Sequence, residues 1–336
     1  MINFSFCLPT RNCGFALNNT ISSIVKSCHH AKEKKYEIII VDNHSNDDTK
    51  EVVKKWAKKY RQIHYFKNQK NIEAPRNIIK TLSQASGKYC WLIGDDEISL
   101  ASLSLVKKQI KRQRDEPSVI SLSWASKWGD KYSGKREVRD LENRKKIKHS
   151  CSTNGLHDYL ELRLPTFGFM SALIFNRKFL DLNFVNKNNL NDSRWIQCHL
   201  LFRALQLNPF AIHIKPTCVI DDHAKENHRQ VPKEPWPSGI FCKHFNQLVE
   251  NPLYRDMLPE PTKDEVFSSF YDYVYCDRFL FRGIKGIIRF ARPETSDRQL
   301  FWITYALLKN SYGWFRALNR ISPKLGSLIT KAVQRV

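Results

Sequence analysis

The chain has 336 residues, 42% apolar and 12% aromatic, enough for one large or two modest domains with real hydrophobic cores. Its 55 Lys and Arg against 33 Asp and Glu leave a net charge of +22, but the aromatic content excludes an intrinsically disordered chain. Residues 164–176 are uncharged but hold Pro165 and Gly168, and no apolar run reaches the roughly 20 residues a membrane-spanning helix needs.

Residues 1–9 carry no basic region followed by a long apolar one, so the expected compartment is the cytosol. Nine cysteines are scattered without a Cys-x-x-Cys pair, which suits reduced, mostly buried thiols rather than a zinc or disulfide framework. The basic excess calls for a negative partner: nucleic acid, anionic lipid headgroups or a phosphorylated small substrate.

The first 125 residues alternate short β-branched runs with helical periodicity, the pattern of parallel strands joined by crossover helices. Strand one is expected over 2–8. Ile21, Ile24, Val25 and Cys28 then mark one helix face, and residues 36–41 form an apolar strand suited to a central position. A helix bearing Val52, Val53, Trp56 and Tyr60 precedes a short strand at 63–66 and a helix with Ile78, Ile79 and Leu82. A strand at 89–93 runs into Gly94-Asp95-Asp96-Glu97; a helix with Leu103, Val106 and Ile110 and a strand at 119–124 complete this half. Residues 126–150 crowd Lys and Arg without apolar period and read as a solvated loop. Periodicity returns at 156–164, with strands expected at 172–175, 210–214 and 218–220 and a helix at 195–205. Pro232 to Pro237 mark a boundary before a mainly helical remainder.

Ligands of a doubly wound sheet bind at the carboxyl ends of its strands. Polar clusters stand at three such ends: Pro9-Thr10-Arg11-Asn12, Asp42-Asn43-His44-Ser45-Asn46-Asp47 and Asp95-Asp96-Glu97. Paired carboxylates repel unless a cation lies between them, and oxygen ligands suit Mg²⁺ or Mn²⁺ bridging a diphosphate. The same acids also suit a helix N-cap before residues 98–110.

Four segments in order resemble the motifs of family 2 glycosyltransferases of GT-A fold: Ser5-Phe-Cys-Leu-Pro-Thr-Arg-Asn12, Glu37-Ile-Ile-Ile-Val-Asp-Asn-His-Ser-Asn-Asp-Asp-Thr49, Asn71-Ile-Glu-Ala-Pro-Arg-Asn77 and Ala85-Ser-Gly-Lys-Tyr-Cys-Trp-Leu-Ile-Gly-Asp-Asp-Glu97. The last is similar to the branch containing abequosyltransferases. The resemblance implies an α/β GT-A fold, a Rossmann-like mixed sheet flanked by helices, and a nucleotide-sugar donor. Pro9, Thr10 and Asp42 would line the base and ribose pocket, with Asn12 in the same binding set. Asn43 and Ser45 would support the loop and Arg76 approach the phosphates. Asp96 would take the metal-binding place of the family's Asp-x-Asp signature, with Asp95 beside it. Two positions depart from the family pattern: Gly94 stands for the first signature Asp, and Glu73 for the Gly of Asn-x-Gly.

In the second half, Asp192 precedes a helix rich in Leu and Arg, where the fold places the general base; a helix cap is the other reading. Gly168 and Phe169 belong to an expected acceptor loop, and His223 or His228 to a C-terminal metal ligand. In the tail, Arg278, Arg282, Lys285, Arg289 and Arg292 fall at helical spacing within a stripe of about 80°. Residues 278–336 hold 12 Lys and Arg against Glu294 and Asp297. The stripe suits an anionic membrane surface, or alternatively the solvated face of a packed helix.

The expected organisation is a nucleotide-sugar-binding half (1–125), an acceptor-binding half (126–231) and a helical, basic, membrane-associating region (232–336). The expected activity is transfer of a sugar, a deoxyhexose among the candidates, to a lipid-linked or saccharide acceptor in surface polysaccharide or lipopolysaccharide O-antigen synthesis. Inversion with Asp192 as base, at the inner membrane face and without nucleic acid, completes the expectation. A catalytically silent nucleotide-sugar-binding protein and a basic nucleic-acid-binding protein are the competing classes.

Overall fold

The computed structural model describes residues 2–128, 131–132, 150–154, 159, 168–222, 245, 247–254 and 256–258. The chain divides into two compact units, Met1–Tyr159 with Gly168–Val231, and Leu160–Phe167 with Pro232–Val336.

The first unit is built on a ten-stranded mixed sheet. Its first half alternates as the apolar pattern requires: β1 (Phe4–Thr10), α1 (Gly14–His30), β2 (Tyr36–Asp42), α2 (Thr49–Ala57), β3 (Ile63–Lys67), α3 (Ala74–Ser83) and β4 (Tyr89–Leu92). These four strands are parallel, in spatial order β3-β2-β1-β4. The chain moves outward from β1 to β3 and then returns to β1's other side, so β1 is a topological switch point. In open α/β sheets ligands bind outside the carboxyl end of such a strand. All seven residues of β2 are buried, as the apolar run predicts, and Ile21, Ile24, Val25 and Cys28 bury one face of α1.

Next come β5 (Glu97–Ile98), α4 (Ser102–Lys111), β6 (Val119–Trp128), β7 (Lys131–Tyr132), β8 (Ser150–Asn154), β9 (Leu173–Asn176), α5 (Leu182–Lys187), α6 (Ile196–Leu207) and β10 (Phe210–Asp222). Strand β9 lies between β4 and β6, antiparallel to both, and β10 pairs parallel to β6. Strand β5 pairs antiparallel with β10 at the edge.

Several sequence expectations change here. Within the solvated-loop region, β6 continues to Trp128, β7 folds back on it and β8 begins at Ser150. The two strands expected at 210–214 and 218–220 are one, β10, whose register shifts between Ile214 and Thr217 and again before Val219. Pro216, with no N–H to give the ladder, sits inside that irregularity. The helix expected from residue 98 starts at Ser102, because Glu97 and Ile98 are strand, so the acids at 95–97 do not cap it.

Phe6 packs on Trp91 with ring centroids 5.6 Å apart and on Tyr36 at 6.2 Å. Gly87 lies against β1 so closely that a methyl group there would come within 2.7 Å of Ser5 N. That approach lets Glu37, buried on β2, accept from Ser5 Oγ (2.5 Å), Ser86 N (2.7 Å), Ser86 Oγ (2.9 Å) and Gly87 N (3.2 Å). Burial pushes the Glu37 pKa up, but these four donors hold it below the ordinary value. Cys7, Cys28, Cys90, Cys198 and Cys218 are buried.

In the second unit, Phe245, Leu248, Val249, Tyr254 and Leu258 are buried around a 3₁₀ turn at Pro252–Tyr254. His223, His228 and the basic stripe from Arg278 through Arg282, Lys285 and Arg289 to Arg292 lie outside the described residues. Among the described residues, no helix is long and apolar enough to cross a membrane.

Candidate active site

Strands β1 and β2 end in register, Thr10 opposite Asp42, and Asn43 N donates to Thr10 O at 2.8 Å. The loop after β2 is held by its own polar side chains. Asp42, fully buried, accepts from Ser45 N (2.7 Å) and from the Tyr65 hydroxyl (2.6 Å), with Lys67 Nζ at 3.8 Å. Burial, and then that hydrogen bond to Asp42, push the Tyr65 phenol up. Ser45 Oγ accepts from Asn12 N (2.9 Å), and Asn12 Oδ1 accepts from Asn46 N (3.0 Å). Asn12 and His44 take left-handed backbone conformations, φ 50° and 64°, which short polar side chains tolerate better than most.

Asn43 carries the order onward. Its Oδ1 accepts from Ile72 N (2.9 Å) and Asn68 Nδ2 (3.0 Å), and its Nδ2 donates to Asn71 Oδ1 (2.7 Å). Asn68 also donates to Asn77 Oδ1 (2.9 Å), and Asn77 donates to Val41 O (3.0 Å), fastening the first turn of α3 over the end of β2. Thr10 differs from these residues. It is 8% exposed, and among the described residues its buried hydroxyl at the switch point has no hydrogen-bond partner. A buried hydroxyl left unpaired costs about 1–3 kcal/mol, a deficit that a ligand at this place would remove.

Glu73 stands at φ 67°, ψ 156°, a region that essentially only glycine occupies without strain. The Glu73 carboxylate accepts from Asn71 Nδ2 at 3.2 Å.

Beyond β4, Asp96 is buried and accepts a hydrogen bond from the Ser171 hydroxyl. Ser171 Oγ in turn accepts from Gly94 N (2.9 Å), while its carbonyl takes the Trp91 indole N–H (3.0 Å). Asp95 Oδ2 lies 3.8 Å from Cys13 Sγ. A side chain at Gly94 would begin 3.0 Å from Met170 Cε and 3.6 Å from Asp96 Oδ2, so the departure at this position matches the packing of Met170. Among the described residues, no three or more His, Cys, Asp or Glu converge as a metal cage. The pair Asp95 and Asp96 still fits a hard divalent cation that takes one or two carboxylates and draws its other ligands from phosphate and water.

Asp192 lies in the turn before α6 without capping it. The helix opens at Trp195, whose N–H goes to Ser193 Oγ (3.3 Å), and His199 Nε2 lies 3.0 Å from that hydroxyl. Asp192 instead meets Arg76 in a two-point contact, Nε to Oδ1 at 3.0 Å and a terminal nitrogen to Oδ2 at 3.2 Å. The start of α6 also grips the acceptor-loop segment. Gln197 donates to Gly168 O (2.9 Å), and a methyl on Gly168 would lie 2.3 Å from Trp195 Cζ3. Phe169 packs on Trp124 with ring centroids 4.6 Å apart and the planes tilted by 35°. Residues 168–171 therefore join α6, which follows Asp192, to Asp96. The sequence reading missed Trp124 and Ser171, whose partners lie far away in the chain.

A family model, "Glycosyl transferase family 2", matches residues 5–171, the stretch that supplies β1 to β4, Asp96 and Ser171. Over that stretch the chain is similar to that family. Abequosyltransferase RfbV of Salmonella typhimurium is 35% identical over 116 residues, covering 33% of each chain. GalNAc(5)-diNAcBac-PP-undecaprenol beta-1,3-glucosyltransferase of Campylobacter jejuni is 33% identical over 215 residues, covering 62% of this chain and 65% of that one. The chain thus spans a third to just under two thirds of the length of these relatives. The solved structure of S. aureus TarS 1-349 with UDP-GlcNAc superposes with a TM-score of 0.56 over 91% of this chain and 80% of that one, at 15% identity. The fold of this chain is GT-A, as the motifs imply.

Proposed function

We propose that this protein is a glycosyltransferase that moves a hexosyl or deoxyhexosyl unit from a nucleotide-sugar to a lipid-linked or saccharide acceptor of a surface glycan. The observation that supports the reading is the run of contacts from Asp96 through Ser171 and Gly168 to the start of α6, the helix that follows the candidate base in the chain. The Salmonella abequosyltransferase supports a deoxyhexose donor, and the undecaprenol-linked substrate in the Campylobacter relative's name supports a lipid-linked acceptor.

In this reading Thr10 and Pro9, at the end of β1, receive the nucleoside, and Asp42, Asn43, Ser45 and Asn12 hold the loop that faces it. Asp95 and Asp96 would hold Mg²⁺ or Mn²⁺, which neutralises the diphosphate as it departs. Asp192 accepts the proton of the acceptor hydroxyl as its oxygen bonds to the anomeric carbon. The bond from that carbon to the phosphate oxygen breaks, and its electron pair leaves with the nucleoside diphosphate, inverting the centre. Phe169 and Trp124 offer an aromatic face beside the acceptor. The basic stripe at 278–292 docks the protein on the anionic inner face of the membrane.

A panel of UDP-, GDP-, CDP- and dTDP-sugars with Mg²⁺ or Mn²⁺, assayed for nucleoside diphosphate release onto polyprenyl-diphosphate-linked saccharides, tests the reading. Release that needs both donor and acceptor is expected. Binding without release would make the protein a silent sugar-nucleotide receptor, and salt-sensitive RNA or DNA binding alone would move it to another class.

A further inference from the structure

Arg76 and Asp192 are 116 positions apart in the chain, yet they meet through two nearly parallel hydrogen bonds at 3.0 and 3.2 Å. Their side chains are 54% and 74% exposed, so water screens the pair and reaches it freely. An exposed ion pair of this kind is held weakly, so an incoming anion can take the guanidinium from the carboxylate. The Arg76 backbone is fixed, because the next residue, Asn77, is bonded to Val41 O at the end of β2 and to Asn68. What can move is the long side chain, beside the loop that receives the donor.

We propose that Arg76 serves two anions in turn: it holds Asp192 in the ligand-free protein and passes to the donor diphosphate when that arrives, releasing the base. The proposal rests on the glycosyltransferase reading above and adds an order of events to it. A guanidinium fork matches a phosphate as well as a carboxylate, and a diphosphate brings more charge than the single carboxylate it displaces. Asp192 is then neutralised by Arg76 while no donor is present and becomes available to an acceptor hydroxyl once one is bound. Arg76 is in this sense a positioning residue for the base as well as a phosphate ligand. The hand-over costs the ion pair, so donor affinity in the parent protein is lower than the phosphate contacts alone would give.

The test is a double-mutant cycle read by calorimetric titration of UDP, GDP, CDP and dTDP with Mn²⁺ into the parent, Asp192→Asn, Arg76→Gln and the double variant. Asp192→Asn should bind the preferred nucleoside diphosphate about 1.5- to 5-fold more tightly than the parent, because Arg76 no longer has to be released. Arg76→Gln should bind it more weakly, and the double variant should match Arg76→Gln. The corresponding nucleoside, lacking phosphates, should show no gain with Asp192→Asn. Equal or weaker diphosphate binding by Asp192→Asn, or a gain that survives in the Arg76→Gln background, overturns the hand-over while leaving the donor site in place. Failure of every nucleoside diphosphate to bind any of the four folded proteins overturns the donor-site reading and the hand-over with it.

Discussion

The Ser171 hydroxyl bridges Gly94 and Asp96, accepting from the Gly94 backbone N–H at 2.9 Å and donating to the Asp96 carboxylate. One side chain from the segment after the acceptor loop therefore sets the orientation of the signature acid after β4.

Asp96→Asn should abolish the part of nucleotide-induced thermal stabilisation that depends on Mn²⁺ and leave the fold unchanged. Ser171→Ala should be milder, weakening Mn²⁺ by about 10- to 100-fold, as loss of a ligand-orienting partner does. Titrating Mn²⁺ against a fixed nucleoside diphosphate measures both. A parent-like response from Asp96→Asn removes it from the metal site.

Replacing the candidate base is the second test. Asp192→Asn should lower turnover by about 10²- to 10⁴-fold, the usual contribution of a general base, with the unfolding midpoint unchanged. Turnover near that of the parent would assign the proton transfer elsewhere.

Gly168 is a steric test of the acceptor loop. Its Cβ position falls on the Trp195 ring, so Gly168→Ala must push the loop or the indole aside. The expected result is a raised acceptor KM with nucleoside diphosphate affinity kept. Steady-state kinetics at saturating donor separate the two.

Glu37 gives a pH dependence with a definite sign. Its folded pKa lies below the ordinary value of 4.5, so its stabilisation is complete above that pH and disappears as the pH falls through the lowered folded value. Glu37→Gln should cost about 1–3 kcal/mol at pH 7, since four donors now aimed at a charged carboxylate oxygen would face a neutral amide oxygen, a weaker acceptor. The gap between parent and variant in urea unfolding should narrow in acid; a constant gap from pH 7 to pH 3 would contradict the assignment.

The basic tail is tested by charge reversal. Each Lys or Arg near an anionic surface contributes about 1 kcal/mol, so Arg282, Lys285 and Arg289 changed together to Glu should abolish co-sedimentation with phosphatidylserine vesicles. Salt should weaken the parent's binding in parallel. Undiminished sedimentation of the reversed protein would leave the stripe as a solvated helix face.

The parallel half of the sheet was readable because burial on both faces writes β1, β2 and β4 as apolar runs, and the site loops followed from the positions of their ends. Residues β7, β8 and α5 bring to the fold were not readable, since the segment around β7 and β8 carries charge rather than apolar period and α5 is short. Pro216 disguised β10 as two strands. At the site, the departure at Glu73 was visible in the sequence, but its positive φ of 67° was not. The pairings of Ser171 with Asp96 and of Arg76 with Asp192 left no such trace. Each joins residues more than 70 positions apart through side chains whose local pattern fits a loop or a cap equally well.

The place of β9 in the sheet has a consequence for biosynthesis. Strand β6 ends at Trp128 and, among the described residues, joins the parallel half through β9, which ends at Asn176. At roughly 5–20 residues per second, a ribosome takes about 2–10 s to make the intervening chain. During that interval the nascent protein carries a finished parallel core and an apolar strand with no place in it. Growth temperature and the supply of strand-shielding chaperones should therefore limit the yield of soluble protein more than the stability of the finished fold does.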